Sequence, residues 1–152
     1  MAALWQGIRT GSLRTAMRAF LPEGAYVQVK AIGDPRGDYA DRLVEDYRLD
    51  IEAAHALVGP EARLVAVDVP SAYVHWVPPG ACYNRVGYYE APGSRVVYRT
   101  AGGLHSFAIA SLISWRGVWY VVHLGAVVRS AAVGIVDDPS VGQGVPVASS
   151  TC

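Results

Sequence analysis

Lysine is almost absent from this chain. Of 13 basic side chains in 152 residues only Lys30 is not an arginine, so there is no polybasic tract. Charge of either sign is scarce at 17%, and 13 acidic groups cancel the 13 basic ones. That balance argues against non-specific attraction to nucleic acid or to an anionic membrane. Long apolar runs are missing as well. Residues 107–115 and 118–128 come closest, but Arg116-Gly117 separates them and Ser and His interrupt them, well short of the roughly 18 residues of a membrane helix. Both read as strands. There are two cysteines, Cys82 and Cys152, with no CxxC and no His spacing such as HxxxH among His55, His75, His105 and His123. Zinc and other metals are therefore not expected, and no cofactor is implied. No phosphate loop, HExxH or nucleophile elbow is present, and Gly142-Gln143-Gly144 lies in a small-residue tail rather than between a strand and a helix.

What the chain does hold is core-forming material. Hydrophobic residues make up 52%, with nine Tyr and four Trp, which excludes disorder along the whole length. The length suits one domain, expected over residues 2–136, with a flexible tail over 137–152 where Asp, Pro, Gly and Ser take over. Leu4, Trp5 and Ile8 share one helical face that Gly11 terminates, and Ser12 caps a second helix carrying Leu13, Ala16, Met17 and Phe20. Residues 26–32 alternate and are β-rich, so they read as a first strand. Asp38 is placed to cap a long helix over 39–58, with the stripe Leu43, Tyr47, Ile51, Ala54 and Val58, which Gly59-Pro60 ends. Strands follow: 63–69, then 82–89 and 95–100 around a Pro92-Gly93 turn, and finally the longest hairpin around Arg116-Gly117.

In that hairpin a two-residue loop sets Trp115 opposite Val118, Ile113 opposite Tyr120 and Ser111 opposite Val122, as the face that packs under helices. The other face carries Leu112, Trp119, Val121, Ala110 and His123. It is too apolar for water, so either something within the chain covers it or Leu112, Trp119 and Val121 form a homodimer interface. A bulge would flip this parity.

Helices first and antiparallel strands afterwards indicate an α+β fold, with three N-terminal helices on one face of a curved sheet. The stretch Leu4-Trp5-Gln6-Gly7-Ile8-Arg9-Thr10-Gly11, the stretch Ala19-Phe20-Leu21-Pro22-Glu23-Gly24-Ala25-Tyr26-Val27 and the closing Trp115-Arg116-Gly117-Val118-Trp119-Tyr120-Val121-Val122-His123 resemble the cystatin-like cone of the nuclear-transport-factor-type, ketosteroid-isomerase-like superfamily. Within it, Trp76-Val77-Pro78-Pro79-Gly80-Ala81-Cys82-Tyr83-Asn84 and the Ser-Trp-Arg-Gly-Val-Trp-Tyr run are similar to exported actinobacterial proteins of unknown function, with which an Arg-rich composition agrees. That resemblance implies an extracellular or envelope-attached protein. The alternative is a cytoplasmic one. Met1-Ala2-Ala3-Leu4-Trp5 leads straight into an amphipathic segment and does not itself read as a signal peptide.

The resemblance implies a ligand or partner site inside the cone, for which Tyr26, Tyr47, Tyr98, His105 and Trp115 are the candidate lining residues. The expected function is a non-catalytic binding or interaction domain for a small molecule or a protein. The alternative is a cofactor-free isomerase, dehydratase or cyclase whose pocket carboxylate abstracts a proton, with Asp46 or Asp50 as candidates. Against the enzyme stands the spacing of Asp46 to Arg42, which allows an i, i+4 ion pair. Tyr83, Tyr88, Tyr89 and Tyr98 stand beside Arg85, Arg95 and Arg99, a pattern read as core strands with Glu90 paired to Arg95. Cys82 and Cys152 are either unrelated thiols or a disulfide that staples the tail to the sheet, which would require an oxidising compartment.

Overall fold

In the computed structural model, which describes residues 1–147, the chain opens with helix α1, Ala2–Thr10. It buries Leu4, Trp5 and Ile8, and it ends as Gly11 turns into the left-handed region at φ 61°. Ser12 then caps α2, Leu13–Ala16, its Oγ accepting from Thr15 N–H at 3.3 Å. The two helices cross at Gly7, where a Cβ would lie 2.5 Å from that of Ala16.

The next segment departs from the expected strand. Glu23–Val29 is a helix, α3, and only Lys30 pairs like a strand, through a single bridge to Asn84. Ala25, Tyr26 and Val29 are also compatible with one helical face, and all three are buried. Pro22 starts the helix, so packing of that face outweighs the β-branched composition. The long helix also begins earlier than expected. Asp34 rather than Asp38 is the cap, accepting from Gly37 N–H at 2.9 Å at the start of α4, Pro35–Asp38. A π-helical stretch, Tyr39–Val44, joins it to α5, Glu45–Val58. That widened turn leaves the Asp38 carboxylate available to Arg42 and Tyr26.

The rest is one antiparallel sheet, which makes the protein α+β. Strands β1 (Arg63–Asp68), β3 (Tyr88–Thr100), β4 (Gly103–Trp115) and β5 (Val118–His123) lie in that order, with β2 (His75–Val77) alongside β3 and β6 (Asp137–Val141) alongside β4. The expected Pro92-Gly93 turn does not form. β3 runs straight through it, and Gly93 at φ 65° sits between the pairs Pro92–Ser111 and Ser94–Ile109 with no shift of register. Glu90 and Arg95 are therefore not hairpin partners.

The Arg116-Gly117 turn forms with both residues at positive φ and pairs Trp115 with Val118 and Ile113 with Tyr120 as read. A bulge then shifts the register, so Ser111 faces His123 instead of Val122. Leu112 and Val121 are 1% and 0% exposed within this single chain, which corrects their placement in an interface between copies; Trp119 keeps 37%. Leu21 N–H donates to the Val121 carbonyl, so the helical segment seals that edge.

The tail contributes structure as well. β6 pairs with His105, Ser106 and Ala108, and the buried Arg95 holds it there, donating to the Asp138 carboxylate at 2.6 Å and to its carbonyl at 2.8 Å. Such backbone pairing leaves no side-chain alternation for a sequence pattern to show. Among the described residues no helix is long and apolar enough to cross a membrane.

Candidate functional site

Where α3, the π-helical stretch and the sheet meet, the packing leaves a cavity of about 50 Å³. Leu21, Val29, Leu43, Ile113 and Val122 give it apolar walls. Against them stand six groups with chemistry: Tyr26, Lys30, Arg42, Glu90, Ser111 and His123. Room for a few water molecules is room for a small polar group and not for a fused-ring ligand. An outer depression shares Tyr26, Lys30, Arg42 and Cys82 with the cavity and adds Asp38 and Tyr83, so those four residues stand at the passage between the two.

Each polar group owes its position to an element described above. Lys30 closes α3, and its Nζ donates to the Cys82 carbonyl at 2.9 Å. Arg42 lies in the π-helical stretch and grips Asp38 with Nε and Nη2, both at 2.7 Å, while Nη2 also reaches the Tyr26 hydroxyl at 3.1 Å. Tyr26 in turn donates to Asp38. On the sheet wall Glu90 is 2% exposed and accepts from Ser111 Oγ at 2.5 Å. His75, across the strand pair, brings Nε2 to 3.6 Å from Glu90. His123 comes from the end of β5, turned inward by the bulge.

The electrostatics follow from burial and from these pairs. Burial pushes the Tyr26 phenol well above its ordinary range, and the Asp38 carboxylate beside it adds to the shift. Arg42 hydrogen bonds hold Asp38 below the usual carboxylate value. Burial lowers Lys30, and the Arg42 guanidinium lowers it further. His123 falls to about 3, first through burial and then through Arg42, Arg129 and Lys30. At neutral pH it is an uncharged imidazole, one nitrogen donating and one accepting. The cavity thus combines a carboxylate, a neutral imidazole, a hydroxyl and a desolvated amine within apolar walls.

The residues expected to line the cone do not converge. Tyr26 lines this cavity. Tyr47 is in the core, stacked on Phe20 at 4.2 Å and donating to the Ala16 carbonyl at 3.1 Å. Tyr98 packs between Trp5 and Phe107, both at 6.0 Å, and His105 stacks on it at 5.7 Å. Trp115 is part-buried beside the core with Arg116 over its ring.

Neither expected carboxylate reaches the cavity. Asp46 lies 3.4 Å from Arg129 Nε, while its expected partner Arg42 is taken by Asp38. Asp50 is 1% exposed and accepts four hydrogen bonds, from Arg129 Nη1 and Nη2 at 2.8 and 2.6 Å and from the N–H groups of Gly125 and Ile135, both at 2.9 Å. All its acceptor positions are committed to holding the segment after β5, so it has none for a substrate proton. Cys82 lines the cavity, and Cys152, its expected partner, lies outside the described residues.

Glu90, Lys30, Arg42 and His123 were not expected as site residues. One signal for His123 existed, the caution that a bulge in the last hairpin reverses parity. Glu90 was hidden by the assumed turn at Pro92-Gly93. Among the described residues no three His, Cys, Asp or Glu side chains gather to hold a metal ion. Comparison of this chain with protein-family models, curated proteins and solved structures finds no match.

Proposed function

We propose that this protein is a binding module whose ligand or partner inserts a small polar group into the cavity between α3 and the sheet. The observation that carries the reading is the burial of Glu90, 2% exposed and bonded to Ser111, in a cavity that also holds Lys30 and the uncharged His123. Buried ionisable groups cost stability, and a cavity that gathers several of them is where a ligand would find ready-made partners. A small hydroxyl, amine or carbonyl group matches the space and the donors and acceptors present.

The cone-like arrangement of the nuclear-transport-factor-type superfamily belongs to the same proposal. The order of helices before strands and the antiparallel path β1-β3-β4-β5 support it. An exported setting, with Cys82 bonded to Cys152, completes it. Intact mass before and after alkylation tests that part, since two reactive thiols in the native protein would remove its chemical basis. A second reading, proton transfer by a pocket carboxylate, is favoured by Glu90 and not by Asp46 or Asp50.

The binding reading is tested by two-dimensional NMR with a panel of small organic acids, amines and carbonyl compounds. Shifts confined to Lys30, Glu90, Ser111 and His123 support it. Shifts confined to the exposed Trp76 and Trp119, or no shifts at all, would overturn it.

A further inference from the structure

The single lysine of the chain stands at the passage into the cavity. Among the described residues its Nζ makes one hydrogen bond, to a backbone carbonyl, and has no carboxylate within ion-pair distance. An ammonium is strongly hydrated in water, and half-burying this one beside apolar walls weakens that hydration. Arginine fills all twelve other basic positions. Lysine differs from arginine in one chemical respect that matters here: it can lose its proton and become a nucleophile.

We propose that Lys30 is a nucleophilic amine that condenses with the carbonyl carbon of a small 2-oxo acid entering the cavity. The inference rests on the reading of that cavity as a ligand site. The neighbouring Arg42 supplies the seat for the acid's carboxylate. Its Nε and Nη2 are engaged by Asp38 and Tyr26, while Nη1 carries no hydrogen bond among the described residues. Desolvation and a nearby guanidinium are the two conditions that activate an amine, and both act on Lys30. A six-heavy-atom acid fits only if its carboxylate stays at the passage and its carbonyl end enters.

The step balances without any further reactant. Neutral Nζ attacks the carbonyl carbon, the C–N bond forms and the π pair moves to oxygen. One amine proton is carried to that oxygen, giving a carbinolamine. The second leaves with the hydroxyl as water while the C=N bond closes. Glu90 and Ser111, bonded to each other on the sheet wall, are the groups lining the cavity that can relay these protons.

The test is reductive trapping of the folded chain with pyruvate and cyanoborohydride, Nα-acetyllysine in the same tube serving as the ordinary amine. Peptide mapping should place a reduced adduct on Lys30, formed faster than on the free amine because burial and the Arg42 guanidinium lower the basicity of Lys30. Lys30→Arg, checked for its fold by circular dichroism, should lose that adduct and keep only what forms on the Met1 α-amine. Saturation-transfer NMR on the same sample reports whether pyruvate touches the protein. Contact without an adduct overturns the imine and leaves the binding reading standing; neither contact nor adduct defeats both. An adduct that forms equally fast in urea-unfolded chain also overturns the inference, because the cavity would then contribute nothing.

Discussion

Replacing Asp50 by Ala should be among the most damaging single changes in the protein. Its carboxylate is 1% exposed, the Arg129 side chain 6%, and together they pin the chain between β5 and β6 to α5. Deleting the carboxylate strands a largely buried guanidinium and removes the acceptor from two backbone N–H groups. A broken buried pair of this kind costs about 3–5 kcal/mol. Against a total stability of about 5–15 kcal/mol that is a large fraction. For a domain of roughly 150 residues it corresponds to a fall in Tm of about 6–20 °C. Arg129→Met should cost less, about 1–3 kcal/mol, because Gly125 and Ile135 still satisfy the carboxylate. The double variant should then be better than the sum of the two, with a coupling of about 1–3 kcal/mol. Urea unfolding followed by tryptophan fluorescence measures all three, and hydrogen exchange should show Gly125 and Ile135 losing protection. If Asp50→Ala costs under about 1 kcal/mol, the clamp contributes little, and Asp50 returns as a candidate for other chemistry.

Gly7→Ala provides a test of sign. Helix propensity alone predicts a gain of about 1 kcal/mol, but the new Cβ would lie 2.5 Å from that of Ala16 and 2.7 Å from its backbone nitrogen, so the net should be a loss of about 1–3 kcal/mol in chemical denaturation. His123 makes stability depend on pH. Its folded value, about 3, lies below the unfolded one near 6.5, so the unfolded chain binds the extra proton and stability falls as pH drops through that window, by at most about 1.4 kcal/mol per unit. His123→Gln should flatten the slope between about pH 4.5 and 6.5, and parallel curves for both proteins would contradict the burial. Trp119→Glu should leave the solution mass by light scattering unchanged, because Leu112 and Val121 are already covered within the chain; a halved mass would restore the dimer interface.

The helices were legible where a local signal exists. Gly11 and Ser12 are read as stop and cap because left-handed φ and an Oγ acceptor are properties of single residues, and both appear in place. Arg116-Gly117 is of the same kind. Residues 26–32, read as a strand, misled because Tyr26, Val27, Val29 and Ile32 suit strands, while helical packing of Ala25, Tyr26 and Val29 depends on what lies beneath them. Pro92-Gly93 misled for the opposite reason: both residues favour a turn, and the pairing of β3 with β1 and β4 keeps the strand straight through it.

Composition and local pattern were enough to establish an α+β chain, the final hairpin with the register nearest its turn, and the absence of motifs for phosphate loops and zinc. They carry that information because capping, turn geometry and alternation act over a few residues. The candidate site has no such representation. Lys30, Arg42, Glu90, Ser111 and His123 come from five separate places in the chain, and a single bulged residue decides whether His123 faces the cavity or the opposite side of the sheet. Asp50 was named only as a candidate proton-abstracting carboxylate, and the folded chain is what shows it buried with Arg129 and two backbone amides as partners. Contacts between residues so far apart in sequence are settled by packing, which no short stretch of the chain encodes.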